Sequence, residues 1–230
     1  MTHRTTEGVS AVTGTVRPIL SALRLGFRDR WPRTASIVTE MLFAQAAVNE
    51  ATVRLFQYGS NMSYDCFFER IRREYDEDAP LGTLILLGPA SLSDWELQLN
   101  LWSATRGCRV LNMVEEKGSE VWGALYEIAS DLVTRCDGKR SVVDRLEGHR
   151  TRRHPENYAK ICVTVVDVQG EAKTAWTYIG LREAADRCER DHPGTTCDSD
   201  YADVVVAGAR STGVPDEYLL ALQAKLGQAR

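Results

Sequence analysis

The sequence of 230 residues lacks a hydrophobic run long enough to cross a bilayer. Its longest stretch without a charged residue, residues 79–93, is interrupted by Gly82, Gly88 and Pro89, whereas a transmembrane helix needs about 20 apolar residues. A basic excess is also missing, because 28 Lys and Arg stand against 32 Asp and Glu, a formal charge of -4. We therefore expect no membrane span and no nucleic-acid partner.

Several common site motifs are absent too. Neither Gly-x-Gly-x-x-Gly nor Gly-Lys-Ser/Thr occurs, which excludes dinucleotide and P-loop sites at the level of motifs. The six cysteines form no Cys-x-x-Cys pair, and their spacing favours reduced thiols in a cytoplasmic protein. Cys188, His192 and Cys197 offer three soft metal ligands without an evident fourth, so we interpret them as loop residues.

Composition divides the chain into an extension, residues 1–50, and one domain, residues 51–230. Residues 1–34 hold six arginines and two acidic residues, and an apolar stripe at helical spacing lies within them: Ile19, Leu20, Leu23 and Phe27. We predict a helical extension that packs on the domain or on a second subunit, and a homodimer is one assembly compatible with it. A targeting peptide and an overextended start are the alternatives.

The domain alternates short strand patterns with a few helical ones. Strand patterns cover 53–56, 84–87 and 95–101, a hairpin of 110–114 and 121–128 around a turn at 116–119, and a hairpin of 161–168 and 172–179. Helical patterns cover 64–75, 130–145 with a break at 137–138 and a capping box at Ser141 and Asp144, 181–190, and 216–226 after a loop. The pattern predicts an α+β fold, with a mixed, mainly antiparallel, barrel-like sheet surrounded by helices.

The segment Tyr58-Gly59-Ser60-Asn61 connects the first strand pattern to the first helix. Gly59 would allow a positive φ that turns successive backbone N–H groups toward one point, near the positive end of the helix dipole. Such a loop can bind an anion. Strand-to-helix turns of this composition are also common structural connections, so the loop alone does not decide between the two interpretations.

Together with five later segments, this loop resembles the Tyr-Gly-Ser-Asn motif of the gamma-glutamylcyclotransferase family. The later segments follow in the family's order over about residues 53–226: Ala90-Ser91-Leu92-Ser93-Asp94-Trp95-Glu96-Leu97, Val121-Trp122-Gly123-Ala124-Leu125-Tyr126, Asp144-Arg145-Leu146-Glu147-Gly148, Tyr158 with Tyr178, and a run from Tyr201 through Gly208-Ala209 and Gly213-Val214-Pro215 to Tyr218. One departure is Gln57, where the family usually has a small residue.

The resemblance implies a transferase or lyase-type enzyme that cyclises a γ-glutamyl amine or γ-glutamyl peptide to 5-oxoproline and releases the amine. Glu147 would be the general acid/base, and we expect it to be partly desolvated and close to Tyr58 and Tyr178. The implied substrate-binding residues are Leu55, Phe56, Gln57, Tyr58, Gly59, Ser60, Asn61, Tyr158, Tyr178 and Tyr201. The chemistry requires no metal or redox cofactor, and the expected partner is a small γ-glutamyl molecule.

A second class of function stays open. A catalytically silent member could use the same pocket, or the N-terminal extension, for binding or assembly. Formation of 5-oxoproline that is lost on substitution of Glu147 would separate the two. Arg150, Arg152 and Arg153 follow Glu147 closely and leave open an acidic or phosphorylated leaving group, although charged loops are usually just solvated.

Overall fold

The computed structural model of the chain describes residues 52–74, 83–134, 141–147 and 157–227. The predicted N-terminal helical extension and the arginines at 150–153 lie outside these residues. Five strands and six α-helices follow one another within them, with a short 3-10 turn, Ser60–Met62, after the first strand.

The strands close into a barrel in the order β1-β3-β2-β4-β5. Their bounds are Thr52–Gln57 for β1, Leu84–Ser103 for β2, Cys108–Ala129 for β3, Tyr158–Asp167 for β4 and Ala172–Gly180 for β5. Neighbouring strands pair antiparallel, except β1 and β5, which are parallel. The predicted α+β class with a mixed, mainly antiparallel, barrel-like sheet is confirmed.

The long strands β2 and β3 correct one predicted hairpin. The chain reverses at residues 104–107, where Gly107 has a φ of 66°, and not at 116–119. The latter residues stay within β3, where they bulge between two paired stretches, and Gly118 has a φ of 84°. A segment that contains lysine, glycine and serine is typical of a chain reversal. In the structure β2 pairs with β3 on both sides of this segment, so it forms a bulge instead.

Six helices cover the outside of the barrel. Their bounds are Tyr64–Glu74 for α1, Ser130–Val133 for α2, Val142–Leu146 for α3, Arg182–Asp191 for α4, Ser199–Thr212 for α5 and Asp216–Gly227 for α6. None of the helices in the described parts of the chain has the length and apolar character required to cross a membrane.

Helix α5 corrects a second prediction, because it lies where the sequence pattern predicts a loop. It begins after Asp198, whose side chain accepts a hydrogen bond from Tyr201 N at 2.6 Å, and it ends before Gly213, which has a φ of 85°. The predicted helix over 130–145 is divided into α2 and α3, with residues 135–140 outside the described ones. Ser141 and Asp144 form the predicted capping box of α3.

The hydrophobic core fills the barrel and the space under the helices, and glycine is required where β1 meets β3. A Cβ on Gly123 would lie 2.4 Å from the Gln57 carbonyl oxygen and 2.8 Å from the Phe56 ring. Steric contact with β1 therefore explains why the Val-Trp-Gly segment has glycine at position 123. Gln57, the last residue of β1, lies at this close approach and also lines a cavity.

Candidate active site

A cavity of about 870 Å³ opens where β1 ends, beside the 3-10 turn and the end of α3. Nine of the residues that the resemblance implies for the site line this cavity: Gln57, Tyr58, Gly59, Ser60, Asn61, Glu147, Tyr158, Tyr178 and Tyr201. Leu55 and Phe56 do not line it. Both are fully buried in the core, since they precede the end of β1 and pack within the fold instead of reaching the cavity.

The loop at Gly59 turns differently from the expectation. Gly59 has a φ of -124°, so it does not adopt the positive φ that glycine would allow. The chain turns through the 3-10 turn instead, with Met62 N donating to the Gly59 carbonyl at 3.0 Å. A Cβ on Gly59 would lie 3.5 Å from the Tyr201 hydroxyl, an ordinary contact. Glycine is thus not demanded by the backbone here, and it leaves space beside Tyr201.

The 3-10 turn is held from two sides. Tyr126 of β3 donates its hydroxyl proton to the carbonyls of Asn61 at 2.9 Å and Met62 at 3.0 Å, and Thr212 of α5 donates to Met62 at 3.0 Å. Helix α5 also packs tightly on the turn, because a Cβ on Gly208 would lie 2.6 Å from Ser63 N. The barrel and α5 together fix the position of the Asn61 side chain.

Glu147 lies at the C-terminal end of α3 and reaches across to this turn. Its Oε1 accepts hydrogen bonds from Asn61 Nδ2 at 2.8 Å and from Gln57 Nε2 at 3.5 Å. Burial raises the pKa of Glu147; the charge of Arg70 and the two amide hydrogen bonds oppose this rise without cancelling it. The carboxyl group therefore binds a proton more readily than an exposed glutamate does.

Arg70 of α1 is a member of this group that the sequence did not identify. One of its guanidinium nitrogens, Nη1, donates to Asn61 Oδ1, and Nη2 donates to the carbonyl of Leu146 at 3.2 Å. Arg70 thereby orients the Asn61 amide so that its NH₂ group faces Glu147, and it holds the backbone next to Glu147. The helical pattern of α1 marks Arg70 only as a polar position, so no local signal could have revealed this bridge.

Asp144 lies three residues before Glu147 and has different partners, although its charge also adds to the rise in the pKa of Glu147. Its carboxylate accepts a hydrogen bond from the Tyr178 hydroxyl at 2.7 Å and pairs with Lys160 Nζ at 3.1 Å. Burial disfavours ionisation of Asp144, but the charge of Lys160 and hydrogen bonds from Tyr178, Lys160 and Ser141 outweigh it, so its pKa is lowered. Asp144 is therefore an ionised residue that orients Tyr178.

The tyrosines of the cavity remain neutral phenols. Burial raises the pKa of all four of them, which are Tyr58, Tyr158, Tyr178 and Tyr201. The Tyr58 hydroxyl donates to the Tyr178 carbonyl at 2.6 Å, while the Tyr201 hydroxyl accepts from Leu111 N at 2.9 Å. These hydrogen bonds fix the rings around Glu147, and the charge of Glu147 adds to the rise in the pKa of Tyr58, Tyr158 and Tyr178.

The outer part of the cavity is rich in arginine and aromatic side chains. Arg106, in the turn at 104–107, places its guanidinium 5.2 Å from the centroid of the Tyr201 ring. Trp102 stacks on His192 with centroids 3.6 Å apart, and Arg187 Nη2 donates to Asn157 Oδ1 at 2.9 Å.

Comparisons with known proteins bear on the fold that surrounds this cavity. The model of the AIG2-like family matches residues 120–222, from β3 to α6. A solved structure named gamma-glutamyl cyclotransferase is 22% identical, with a TM-score of 0.56 over 75% of this chain and 87% of that one. The resemblance to the gamma-glutamylcyclotransferase-like fold is confirmed. The AIG2-like match includes Asp144 and Glu147 and begins after the loop at 58–61.

Two further solved structures share the gamma-glutamylcyclotransferase-like fold. An uncharacterized protein from Homo sapiens is 21% identical, with a TM-score of 0.58 over 76% of this chain and 88% of that one. YkqA from Bacillus subtilis is 18% identical, with a TM-score of 0.58 over 83% of this chain and 59% of that one. A search of curated proteins finds no significant match.

Proposed function

We propose that this protein is a gamma-glutamylcyclotransferase, which converts a γ-glutamyl amine or γ-glutamyl peptide to 5-oxoproline and releases the amine. The observation that carries the proposal is the position of Glu147. Its carboxyl group, with a raised pKa, faces the donors of the turn at 58–61 inside a cavity lined by neutral tyrosines. The AIG2-like match and the shared fold support the same class of chemistry.

In the proposed reaction the Glu147 carboxylate first takes a proton from the α-ammonium group of the substrate. The freed amine attacks the γ-carbonyl carbon of the same molecule and closes a five-membered ring. As the bond between that carbon and the leaving nitrogen breaks, Glu147 gives its proton to the leaving nitrogen. Glu147 then takes the second proton of the ring nitrogen and passes it to the released amine, so that the lactam leaves neutral and the amine leaves as an ammonium ion. Glu147 is therefore base and acid in turn, and it ends the cycle ionised as it began.

The raised pKa of Glu147 addresses the main energetic obstacle. An ordinary glutamate is a weaker base than an α-amine by about 3.5 pKa units, which costs about 5 kcal/mol for proton transfer. Burial of Glu147 narrows this gap. Since both reacting groups belong to one molecule, holding the glutamyl chain in a folded conformation can supply about 7–11 kcal/mol of entropic advantage.

We further propose that the turn and the tyrosines hold the glutamyl part of the substrate. Gly59, Ser60 and Asn61 line the cavity, and backbone N–H groups in this turn would suit a carboxylate or the charge that develops on the γ-carbonyl oxygen. The Tyr201 hydroxyl accepts its hydrogen bond from Leu111 N, so its own proton is free to point toward a substrate oxygen.

The test is the conversion of γ-glutamyl-alanine and γ-glutamyl amines to 5-oxoproline, followed by mass spectrometry. We expect Glu147→Gln to lower kcat at least about 100-fold, since a general base typically contributes about 10²–10⁴-fold. Glu115→Gln, at an exposed position of β3 outside the cavity, is the matched control and should keep the wild-type rate.

A folded Glu147→Gln protein with the full rate would contradict the proposed role of Glu147. Absence of turnover across a broad panel, with binding of γ-glutamyl compounds retained in calorimetry, would instead favour the alternative of a catalytically silent binding or assembly protein. Circular dichroism and thermal unfolding of each variant establish that a loss of rate is not a loss of fold.

A further inference from the structure

The positive charge of the cavity lining favours one class of leaving amine over others. We propose that the leaving amine carries an acidic side chain, as an acidic amino acid does, and that Arg73 and Arg106 favour it over leaving amines with a neutral or cationic side chain. This inference rests on the proposed function, because it places the γ-glutamyl group at Glu147 and assigns the remaining space to the leaving amine.

The volume of the cavity leaves room for a sizeable leaving group. At about 870 Å³ it lies within the range of about 300–1,000 Å³ that encloses whole drug-sized ligands. Glu147, the turn and the tyrosines occupy its inner part. A γ-glutamyl group bound there leaves the outer part, toward Trp102 and the turn at 104–107, for the amine.

The lining carries a strong positive charge. Among the described residues that form it, four are arginines, and Glu147 is the single acidic one. The chain as a whole has a formal charge of -4, so the positive lining is a local feature and not a general property of the surface. A cleft of one charge sign concentrates ligands of the opposite sign and repels those of the same sign.

The four arginines differ in what already engages them. Arg70 donates to Asn61 and to the Leu146 carbonyl, and Arg187 donates to Asn157, so both serve the protein itself. Arg73 lies one helical turn beyond Arg70 on α1, and both Arg73 and Arg106 are exposed at the cavity. These two are placed to meet an incoming ligand.

Arg106 has the more specific geometry of the two. Its guanidinium lies over the Tyr201 ring, which holds the planar fork in place so that it can donate two parallel hydrogen bonds to a carboxylate. Arg106 also lies near Asp198, but the Asp198 carboxylate accepts from Tyr201 N and does not line the cavity. The charge of Arg106 helps to lower the pKa of Asp198, and Arg106 also lines the cavity, where a ligand can reach it.

A set of matched substrates tests the inference. γ-Glutamyl-glutamate, γ-glutamyl-glutamine and γ-glutamyl-lysine share the reacting bond and a similar size, and they differ in the charge of the leaving side chain. We expect kcat/KM to fall in that order, with about two- to fivefold between the first two. The preference should shrink as the salt concentration rises, because exposed charges are screened.

Variants locate the preference in the lining. Arg73→Gln and Arg106→Gln should each reduce the ratio of kcat/KM for γ-glutamyl-glutamate to kcat/KM for γ-glutamyl-glutamine. Arg72→Gln is the matched control, because Arg72 is exposed on α1, lies near Glu69 and does not line the cavity. An unchanged ratio in both Arg73→Gln and Arg106→Gln would overturn the assignment to these residues.

Binding separates this inference from the proposed function. Calorimetry with the Glu147→Gln protein measures the affinities for the same three compounds without turnover. Absence of 5-oxoproline from all three substrates with the wild-type protein contradicts the proposed function, yet the affinities still report the charge preference. Equal affinities and equal kcat/KM values for the three compounds would overturn the inference while the proposed reaction stands.

Discussion

Helix α3 and its C-terminal cap carry two carboxyl groups with opposite pKa shifts. Asp144 faces Lys160 and Tyr178 and has a lowered pKa, whereas Glu147, three residues later, faces amide donors and has a raised one. Both are surrounded by protein, so burial alone does not distinguish them. The difference comes from the neighbouring cation, because Lys160 pairs directly with Asp144 while Arg70 binds the partner of Glu147 and not Glu147 itself.

The comparison shows how one short helix can carry a structural and a reactive carboxyl group. A paired carboxylate stays ionised and orients other groups, while an unpaired and buried one is ready to exchange a proton. Asp144 also forms a capping box with Ser141 at the N-terminal end of α3. The capping box stabilises this helix and so helps to position Glu147, the residue that we propose to react.

The largest expected effect is the loss of the ion pair on the Asp144 side. Asp144→Asn leaves Lys160 charged without its partner, and the two side chains are 10% and 19% exposed. We expect the free energy of unfolding to fall by about 3 kcal/mol. Glu147→Gln keeps both amide hydrogen bonds and removes a poorly solvated charge, so its change should stay within about 1 kcal/mol. Urea unfolding measures both.

Asp131→Asn, at an exposed position of α2, controls for the removal of a carboxylate charge without a buried partner. Equal destabilisation by Asp144→Asn and Glu147→Gln would abolish the distinction between the two carboxyl groups.

A smaller effect is expected when Arg70 is replaced. Arg70→Gln removes a nearby cation, so the pKa of Glu147 should rise further and the acidic limb of the kcat–pH profile should move to higher pH. Loss of the bridge to Asn61 and Leu146 should also lower kcat about tenfold. Steady-state kinetics from acidic to neutral pH measures both effects.

Arg72→Gln on the same helix should leave the kcat–pH profile in place, because Arg72 neither lines the cavity nor contacts Asn61 in the described structure. An acidic limb that does not move in Arg70→Gln would show that Arg70 has no electrostatic influence on the group that titrates.

The smallest effect is the dependence of stability on pH. The native pKa of Glu147 lies above that of the unfolded chain, so its contribution is present below about pH 4.3 and is lost as pH rises through the native pKa. Asp144 behaves oppositely: its contribution is present above about pH 3.9 and is lost as pH falls through its lowered native pKa.

Unfolding free energies measured across pH should therefore differ between variants in opposite windows. The Glu147→Gln protein should lack the decline of stability above about pH 4.3, and the Asp144→Asn protein should lack the decline below about pH 3.9. Parallel curves for wild type and Glu147→Gln would contradict a raised pKa at position 147.

Periodicity and turn residues predicted the fold class, the second hairpin and the capping box, because each depends on neighbours in sequence. The turn at 116–119 was predicted wrongly, since whether a glycine-containing segment reverses or bulges depends on the partner strand β2. Helix α5 had end signals at Asp198 and Gly213, but its run of valines and Gly208 disguised it. The glycine at position 208 is explained by tertiary packing, because it gives space to the turn near Ser63.

For the site, the segments of the resemblance indicated the loop and Glu147, which the structure brings into hydrogen-bond contact. The bridge through Arg70 and the pairing of Asp144 with Lys160 depend on how α1, α3 and β4 pack. Nothing in local sequence spacing encodes such packing. The residues that line the cavity likewise come together only when the barrel closes, and no single segment of the sequence determines that closure.

The hydrogen bond from Thr212 to Met62 spans 150 residues of sequence. During synthesis the turn that carries Asn61 leaves the ribosome long before the helix that clamps it. The nascent barrel therefore passes through a stage in which this turn still lacks its Thr212 clamp, and formation of the finished pocket waits for α5 to emerge and dock.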